Sequence, residues 1–529
     1  MDTRELIESG LGIVGIEFGS TRIKAVLIDE AHNPVASGDY VWENRFEDGV
    51  WTYPEAQIFE GLQAAFAGLK NDVREKYGVE IRNLKALGIS GMMHGYLAFD
   101  EDWKLLVPFR TWRNTITARA AAELSKAFRF NIPERWTIAH LRQAVLNREP
   151  HLKDLRYVET LAGYVHYRLT GERIVGTGEA SGIMPLDDKT LDYDERMVDE
   201  FDRLTAVSGY SFLARDVFPK VVSAGDCGGY LTEDGAKLLD PTGVLEPGAL
   251  LAPPEGDAGT GMVATNSVKK RTGNVSAGTS VFSMVVLEKP LENYYPEIDV
   301  VTTPDGAPVA MVHCNNCTSD INAFAGLFRD YLEAARLPAD MGSVYTTLFN
   351  AALTGDKDCG GVVSFNYISG EGVTHFEDGR PLLTRTRDAK LSLGNFMRAE
   401  LYSALATLKA GNDILFKKEA IEVDTLYGHG GFFKTPGVGQ QILADALNVP
   451  VSVMKTAGEG GPWGMAVLAA FAANRAEGET LPEYLESYVF SGDKGTALSP
   501  DPEGVAGFEA FMTRYFKCFG AEKELIGNL

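Results

Sequence analysis

One short pattern occurs twice in this chain, once near its start and once past its middle. Gly19-Ser20-Thr21 separates two β-rich runs within residues 11–29, and Gly278-Thr279-Ser280 separates two more within residues 272–288. Strand-like runs joined by a small-residue turn are typical of β-hairpins. Alternating helical and strand patterns follow each hairpin, whereas the distance between the two copies is too long for a stacked repeat. The sequence therefore predicts two α/β halves of related design.

The length of the chain also favours two domains. Its 529 residues, of which 45% are hydrophobic, exceed what one hydrophobic core usually supports. Residues 246–256, which are rich in proline and glycine, form the predicted seam, so we expect domains at residues 1–250 and 251–529. Apolar periodicity predicts helices at residues 54–70, 118–128, 393–416 and 464–473, and strands at residues 86–90, 361–365 and 449–453.

The charge and the cysteine content of the chain argue against several partners. With 50 basic and 73 acidic residues the formal charge is −23, whereas general nucleic-acid binding depends on cationic groups that neutralise phosphates. No apolar run has the length or flanks of a signal peptide or a membrane span, so we expect a cytoplasmic protein without a membrane partner. Five cysteines fit a reducing compartment, and we interpret the lone CxxC of Cys314 and Cys317 as buried thiols.

The two turn tips are candidate phosphate sites. Glycine allows backbone conformations closed to other residues, and Ser and Thr add hydroxyl donors, so residues 19–21 and 278–280 could each wrap phosphate oxygens. A tight turn without a ligand is the alternative for either tip alone. The glycines at 430 and 431 would let a flat ring approach the backbone, or simply form a loop. The sequence has no GxxxxGK[ST] loop, and the dinucleotide-like pattern at residues 259–264 follows two prolines rather than a strand.

Three further segments carry side chains that suit a binding site. Asp257 stands among small residues that leave its carboxylate open, as a general base requires, although Asp at such a place more often caps a helix. His94 follows Met93 at the end of a predicted buried strand and could hydrogen-bond a polyol, or be a structural histidine. Trp112 and Asn114 combine an apolar plane with amide donors and acceptors, which is the mixture that a sugar requires.

Taken in chain order, these segments resemble the FGGY carbohydrate kinases, members of the wider actin, hexokinase and Hsp70-like ATPase fold. The resemblance covers nearly the whole chain and depends on the order and spacing of several motifs. The matching segments are Gly15 to Lys24 (family pattern D-x-G-T-x-x-x-K), Ser90 to Gly95 (S-G-x-M-H-G), Arg168 to Glu172 (R-L-T-G-E), Glu179 to Gly182 (D-A-S-G), Gly256 to Ala258 (G-D-A), Gly278 to Ser280, and Gly430-Gly431 with Gln440 to Asp445.

This resemblance implies two ribonuclease H-like domains that flank a cleft, the N-terminal domain binding a sugar and the C-terminal domain binding ATP. It implies transfer of the γ-phosphoryl group to a sugar hydroxyl, with a ketopentose such as xylulose as the best guess and Asp257 as the general base. Glu17 would help to hold Mg²⁺, and a homodimer is left open. The sugar would be lined by Met93, His94, Trp112, Asn114 and Asp257. The nucleotide would be bound by Gly19, Ser20, Thr21, Lys24, Gly278, Thr279, Ser280, Gly430 and Gly431.

The sequence departs from the family pattern at three positions. Glu17 replaces the usual Asp of the first hairpin, which adds a methylene where the family holds Mg²⁺ through water. Asn114 and Ile116 stand where many relatives have the Asp and Arg of W-x-D-x-R, so ribulose, fuculose, gluconate and other polyols stay open as substrates. The same departures motivate a second hypothesis, a sugar- or nucleotide-binding regulator with weakened catalysis, against which the retained Asp257 weighs. We expect no Hsp70-like chaperone, because no separate peptide-binding domain follows residue 475.

Overall fold

The computed structural model describes residues 1–454, 460–492 and 495–529. Two mixed sheets organise the fold. The first contains β1 (Ile13–Phe18), β2 (Arg22–Ile28), β3 (Pro34–Val41), β6 (Ala86–Gly91), β11 (Leu250–Leu251) and β12 (Glu255–Gly256). Its strand order is β11-β6-β1-β2-β3, and β12 also pairs with β6. The hairpin predicted within residues 11–29 is therefore confirmed as β1 and β2.

The second sheet contains the second predicted hairpin. Its strands are β13 (Thr272–Ala277), β14 (Val281–Val286), β15 (Asp299–Thr302), β16 (Pro308–Cys314), β19 (Thr425–His429), β20 (Val451–Val453) and β21 (Thr496–Leu498). They lie in the order β15-β16-β14-β13-β19-β20-β21. The remaining strands form short pairs, β4 (Arg45–Glu47) with β5 (Val50–Thr52), β7 (Leu97–Phe99) with β8 (Tyr157–Glu159), β9 (Ile174–Gly176) with β10 (Lys220–Val222), and β17 (Val362–Phe365) with β18 (Leu382–Arg385).

Helices cover both sheets. They are α1 (Thr3–Glu8), α2 (Glu55–Tyr77), α3 (Ala118–Phe128), α4 (Thr137–Asn147), α5 (Leu161–Thr170), α6 (Thr177–Ala180), α7 (Glu195–Val207), α8 (Ala214–Val217), α9 (Glu233–Leu239), α10 (Asp257–Ala264), α11 (Ser319–Ala334), α12 (Met341–Ala352), α13 (Leu393–Asp413), α14 (Val438–Leu447), α15 (Gly460–Asn474), α16 (Leu481–Tyr484), α17 (Pro502–Lys517) and α18 (Phe519–Asn528). Each of the four helices predicted from periodicity is present, and α3 has the predicted bounds. Within the described ranges, no helix is long and apolar enough to cross a membrane.

Parallel pairing brings the ends of distant strands to one edge of each sheet. In the first sheet, β1 and β12 both run parallel to β6, with Glu17 and Glu255 opposite Ser90. In the second sheet, β19 runs parallel to β13, with His429 opposite Ser276. The carboxyl edge of such strands is where ligands usually bind in α/β sheets, and both small-residue tips lie at these edges.

Helix α15 joins the two halves, because it lies between β20 and β21 of the second sheet in the chain but packs against the first sheet. Gly15 on β1 has no room for a side chain, since the backbone of Pro462 and Ala466 lies directly against it. The Trp463 indole donates a hydrogen bond of 2.7 Å to the His32 carbonyl. The boundary predicted at residue 250 falls within β11, and residues 250–256 pair with the first sheet. The first sheet therefore takes strands from both sides of that boundary.

Candidate active site

The carboxyl edge of the first sheet gathers three segments that are far apart in the chain. Glu17 is the penultimate residue of β1, Met93 follows β6 closely, and Asp257 follows β12 directly. The backbone N–H of Met93 donates to Asp257 Oδ1 over 3.1 Å. Because β1, β6 and β12 are parallel and in register, these residues meet at the edge that ligands favour.

Asp257 is the first residue of α10, and Gly256 takes the N-cap position without a side-chain cap. The Asp257 side chain is open to solvent at the carboxyl edge of the first sheet, and the protein around it removes part of its hydration. This loss of hydration raises its pKa, whereas the Met93 amide and the first amides of α10 lower it. The result is an accessible carboxylate in a fixed position.

Glu17 lies beside Asp257, and Thr260 connects them. The Thr260 hydroxyl is 3.4 Å from Glu17 Oε2 and 3.2 Å from the Asp257 carbonyl oxygen. Burial, followed by the negative charge of Asp257, raises the pKa of Glu17 to about 8, while Thr260 and Lys24 lower it. Lys24 is opposite Glu17 in the β1–β2 register. Gly461 at the start of α15 lacks a side chain where a Cβ would overlap the Glu17 carboxylate.

Two aromatic side chains fix the first tip, and sequence reasoning missed both. The Trp42 indole donates to the Gly19 carbonyl over 2.7 Å, and the Tyr53 hydroxyl donates to the Ser20 carbonyl over 2.6 Å. The two rings stack with centroids 4.0 Å apart. Thr21, the last tip residue, is exposed. The carbonyls of the tip are thereby held by protein, and its hydroxyl groups are left for a ligand.

The second tip is fixed by the loop that follows β16. The Cys317 amide donates to the Thr279 carbonyl over 2.9 Å, and the Thr318 hydroxyl donates to the Gly278 carbonyl over 2.7 Å. Cys314 and Cys317 are buried free thiols, as predicted, and burial raises the pKa of both. The motif thus supports the backbone under a candidate phosphate site.

The glycines at 430 and 431 lie beside the second tip. Gly430 has φ of +100°, and a Cβ there would lie 2.5 Å from the Ala277 carbonyl oxygen, so only glycine fits. Apart from the adjacent residues of the chain, no described atom lies within 4 Å of the position that a Cβ would take on Gly278 or Gly431. Residues 278–280 and 430–431 therefore form one open corner, because β13 and β19 are parallel neighbours.

His94 is buried next to Met93 with φ of +72°. Its Nδ1 lies 3.3 Å from the Gly182 carbonyl oxygen, and its ring is nearly parallel to that of Trp136. Burial and the charge of Arg135 lower the pKa of His94 well below its usual value, so the ring is neutral. If Nδ1 donates to Gly182, Nε2 is the acceptor.

Asn114 is buried and fully engaged by the backbone. Its amide donates to the carbonyls of Trp51 and Thr111 over 2.8 Å and 2.9 Å, and its oxygen accepts from the Trp51 amide. Neither amide hydrogen is available to a sugar hydroxyl, contrary to the expectation from sequence, because one holds Trp51 on β5 and the other holds Thr111 on the same loop. Trp112 is 40% exposed on the same loop.

A buried carboxyl pair behind Asp257 was not found from sequence. Glu255 accepts hydrogen bonds of 3.0 Å from the amides of Gly178 and Glu179, and burial raises its pKa to about 8. Glu179 packs against Gly256, and burial together with the charges of Glu255 and Asp257 raises its pKa well above the usual value. Neither oxygen of the Glu179 carboxyl has a hydrogen-bond partner among the described residues.

Comparison with known proteins gives matches in both halves. Residues 12–245 match the N-terminal domain, and residues 273–473 the C-terminal domain, of the FGGY family of carbohydrate kinases. A xylulose kinase of Haemophilus influenzae is 22% identical over 95% of this chain and 98% of its own. The structure of a xylulose kinase from Rhodospirillum rubrum matches with a TM-score of 0.78 at 18% identity, covering 96% of this chain and 98% of that one. A gluconate kinase from Lactobacillus acidophilus matches with a TM-score of 0.77 at 17% identity over the same shares.

Proposed function

Since this chain belongs to the FGGY family of carbohydrate kinases, and is thus an ATP-dependent sugar kinase, we propose that it phosphorylates a ketopentose such as xylulose, with Asp257 as the general base. Residues 1–250 would bind the sugar and residues 251–529 the ATP. The observation that carries this proposal is the position of Asp257, which is open to solvent, held by the Met93 amide and adjacent to Glu17.

The carboxylates near the first tip fit a magnesium ion. Mg²⁺ prefers oxygen ligands and is usually held by one or two carboxylates together with substrate phosphates and water. Glu17 supplies such an oxygen, since the Thr260 hydroxyl approaches its carboxylate only to the long distance of 3.4 Å. The described residues contain no cluster of three or more metal-ligating side chains, and this binding mode needs none. Glu17 would hold the ion, which neutralises phosphate charge when bound.

The structure of the two tips, residues 19–21 and 278–280, supports the proposal that they bind the phosphate groups of ATP. Both have their carbonyl groups engaged by protein, Gly19 and Ser20 by aromatic side chains and Gly278 and Thr279 by the loop after β16. The amides of Gly19 and Gly278 close their own turns, so the hydroxyl groups of the tips are the groups left to face phosphate oxygens. The open corner at residues 430–431 would take the adenosine.

In the proposed reaction, a hydroxyl oxygen of the sugar forms a bond to the γ-phosphorus while the bond from that phosphorus to the β-γ bridging oxygen breaks. ADP leaves with that electron pair, and the hydroxyl proton passes to Asp257. The protein contributes mainly by positioning the reactants and by neutralising the charge on the phosphoryl oxygens. Closure of the cleft would exclude water, which would otherwise accept the phosphoryl group.

The xylulose assignment is supported by the Met93-His94-Gly95 segment and by the xylulose kinases among the relatives. At neutral pH, His94 presents a bare ring nitrogen, which accepts a hydrogen bond from a sugar hydroxyl. Because Asn114 is engaged by β5, Trp112 is the one residue of this loop that is still predicted to contact the sugar. Its indole face would pack against the C–H face of the sugar.

The experiment is a substrate panel. ADP release is measured with xylulose, ribulose, fuculose, gluconate and glycerol, and we expect the highest kcat/KM with xylulose. Activity confined to another compound would overturn the substrate but leave the kinase reaction intact. Asp257→Ala serves as the matched variant: if the native chain and the variant are equally inert on every sugar that binds, the regulator hypothesis replaces the kinase.

A further inference from the structure

One row of side chains crosses the second sheet next to its phosphate tip. The cross-strand register joins His313 on β16 to Phe282 on β14, Phe282 to Ser276 on β13, and Ser276 to His429 on β19. Phe282 is the second residue of β14, which begins directly after Ser280 of the tip. The row of His313, Phe282, Ser276 and His429 therefore lies next to the second tip, residues 278–280.

The two faces of these strands differ in burial. Val281, Ser283 and Cys314 are fully buried on the core side, whereas Phe282 is half-buried and His313 is exposed on the other side. His313 is the penultimate residue of β16, which runs in the same direction as β13 because both pair antiparallel with β14. Its exposed side chain therefore lies at the carboxyl edge of the second sheet, as the second tip does.

His313 also lies close to the sugar segment. Arg135 precedes α4 in the N-terminal half, and its charge lowers the pKa of both His94 and His313. The Arg135 carbonyl accepts a hydrogen bond from the Gly95 amide, and its guanidinium pairs with Asp299 on β15. Arg135 thus connects the segment after β6 with β15, where Asp299 is opposite Met311, two residues before His313 on β16. His313 therefore lies on the part of the second sheet that adjoins the predicted sugar segment.

The protonation state of the His313 ring allows it to donate a hydrogen bond. Burial is the main cause that lowers its pKa, Arg135 adds to this effect and Asp299 opposes it, so the ring is neutral at neutral pH. A neutral imidazole carries one N–H donor. In the described part of the chain, no protein group hydrogen-bonds that ring, and its nearest aromatic neighbour is Phe282 with a centroid distance of 6.5 Å. The donor is free to meet a ligand.

We propose that His313 is a catalytic residue that donates a ring N–H hydrogen bond to the phosphoryl group during its transfer. The inference rests on the kinase reaction proposed above. His313 keeps its proton throughout, since the hydroxyl proton goes to Asp257 and ADP leaves with the electron pair of the broken bond. Its contribution is to stabilise charge that develops on the phosphoryl oxygens, which a fixed donor in a water-poor cleft does effectively.

The kinetic test compares His313→Ala, His313→Asn and the surface variant His375→Asn. His375 is an exposed histidine paired with Glu297, outside the proposed site. We expect kcat to fall by about 100- to 1,000-fold in His313→Ala, the range for loss of one such donor, while both KM values change by less than about threefold. His313→Asn, which keeps a neutral donor, should recover part of the loss, and His375→Asn should match the native enzyme. A kcat of His313→Ala within about twofold of native would overturn the assignment.

A second measurement does not depend on finding the right sugar. The ring ¹⁵N signals of His313, assigned by their loss in His313→Asn, are recorded with ADP and with ADP plus aluminium fluoride, a mimic of the phosphoryl group in transfer. We expect a larger shift with the mimic than with ADP alone. If the native chain is inactive on every sugar but this shift occurs, the inference stands and the proposed reaction fails; equal spectra in the two states would refute the inference.

Discussion

The close approach of Gly461 to Glu17 gives the sharpest test of the proposal that Glu17 holds Mg²⁺. Non-bonded heavy atoms in contact lie about 3.5 Å apart, and a Cβ on Gly461 would stand at less than half that distance from Glu17 Oε2. In Gly461→Ala the carboxylate must therefore retreat by about 2 Å. Since misplacing a catalytic group by about 1 Å costs roughly 100-fold, we expect kcat to fall by about 100-fold.

Although kcat should fall in Gly461→Ala, the thermal stability of this variant should rise slightly or stay nearly unchanged. Alanine is favoured over glycine inside helices by about 1 kcal/mol, and Gly461 is the second residue of α15. We therefore expect Tm to stay within about 4 °C of the native value while kcat collapses. Gly520→Ala in α18, where a Cβ meets no atom within 4 Å, is the matched control and should keep native activity.

A shorter carboxylate should rescue the variant. Glu17→Asp withdraws the carboxylate by one methylene, about 1.5 Å of chain, which makes room for the added Cβ. In the Glu17→Asp background, Gly461→Ala should cost less than about threefold in kcat, so the two changes are strongly non-additive. The assay is steady-state ADP release at saturating Mg²⁺ and sugar. An equal loss in both backgrounds, or no loss with Glu17 present, would refute the assignment of Glu17.

Three further predictions concern the groups around the base. Asp257→Asn should lower kcat by about 100-fold or more while calorimetry shows sugar binding retained; a rate close to native would exclude the residue as the base. Thr260→Val removes the hydroxyl shared by Glu17 and the Asp257 carbonyl and should lower kcat by about 10-fold without a loss of Tm, whereas unchanged kcat would show that the hydroxyl does not position Glu17. Glu179→Gln should make stability less dependent on pH. Burial raises the pKa of Glu179 in the folded state, so the native chain loses stability as pH rises above the ordinary value for Glu; the variant's Tm should therefore exceed the native Tm more at pH 9 than at pH 5, and a constant difference would contradict this.

Much of the fold follows from local sequence. The two hairpins, the bounds of α3 and the buried strand at residues 86–91 were predictable because apolar spacing and small-residue turns act within a few residues. The family and its kinase fold were also predicted, from ordered motifs, and are confirmed. The cytoplasmic location, the homodimer and the division at residue 250 stay predictions.

The sequence by itself therefore determined the two hairpins, their α/β setting and the residue types that stand at the strand ends, whereas the role of Asp257 as the base stays a prediction. Only the tertiary structure decided which partner each side chain meets. It engages Asn114 with β5, brings Thr260 to Glu17, buries Glu179 behind Asp257 and pairs Arg135 with Asp299. These contacts join residues far apart in the chain. They depend on the register of parallel strands and on the packing of the two halves, which no local pattern encodes.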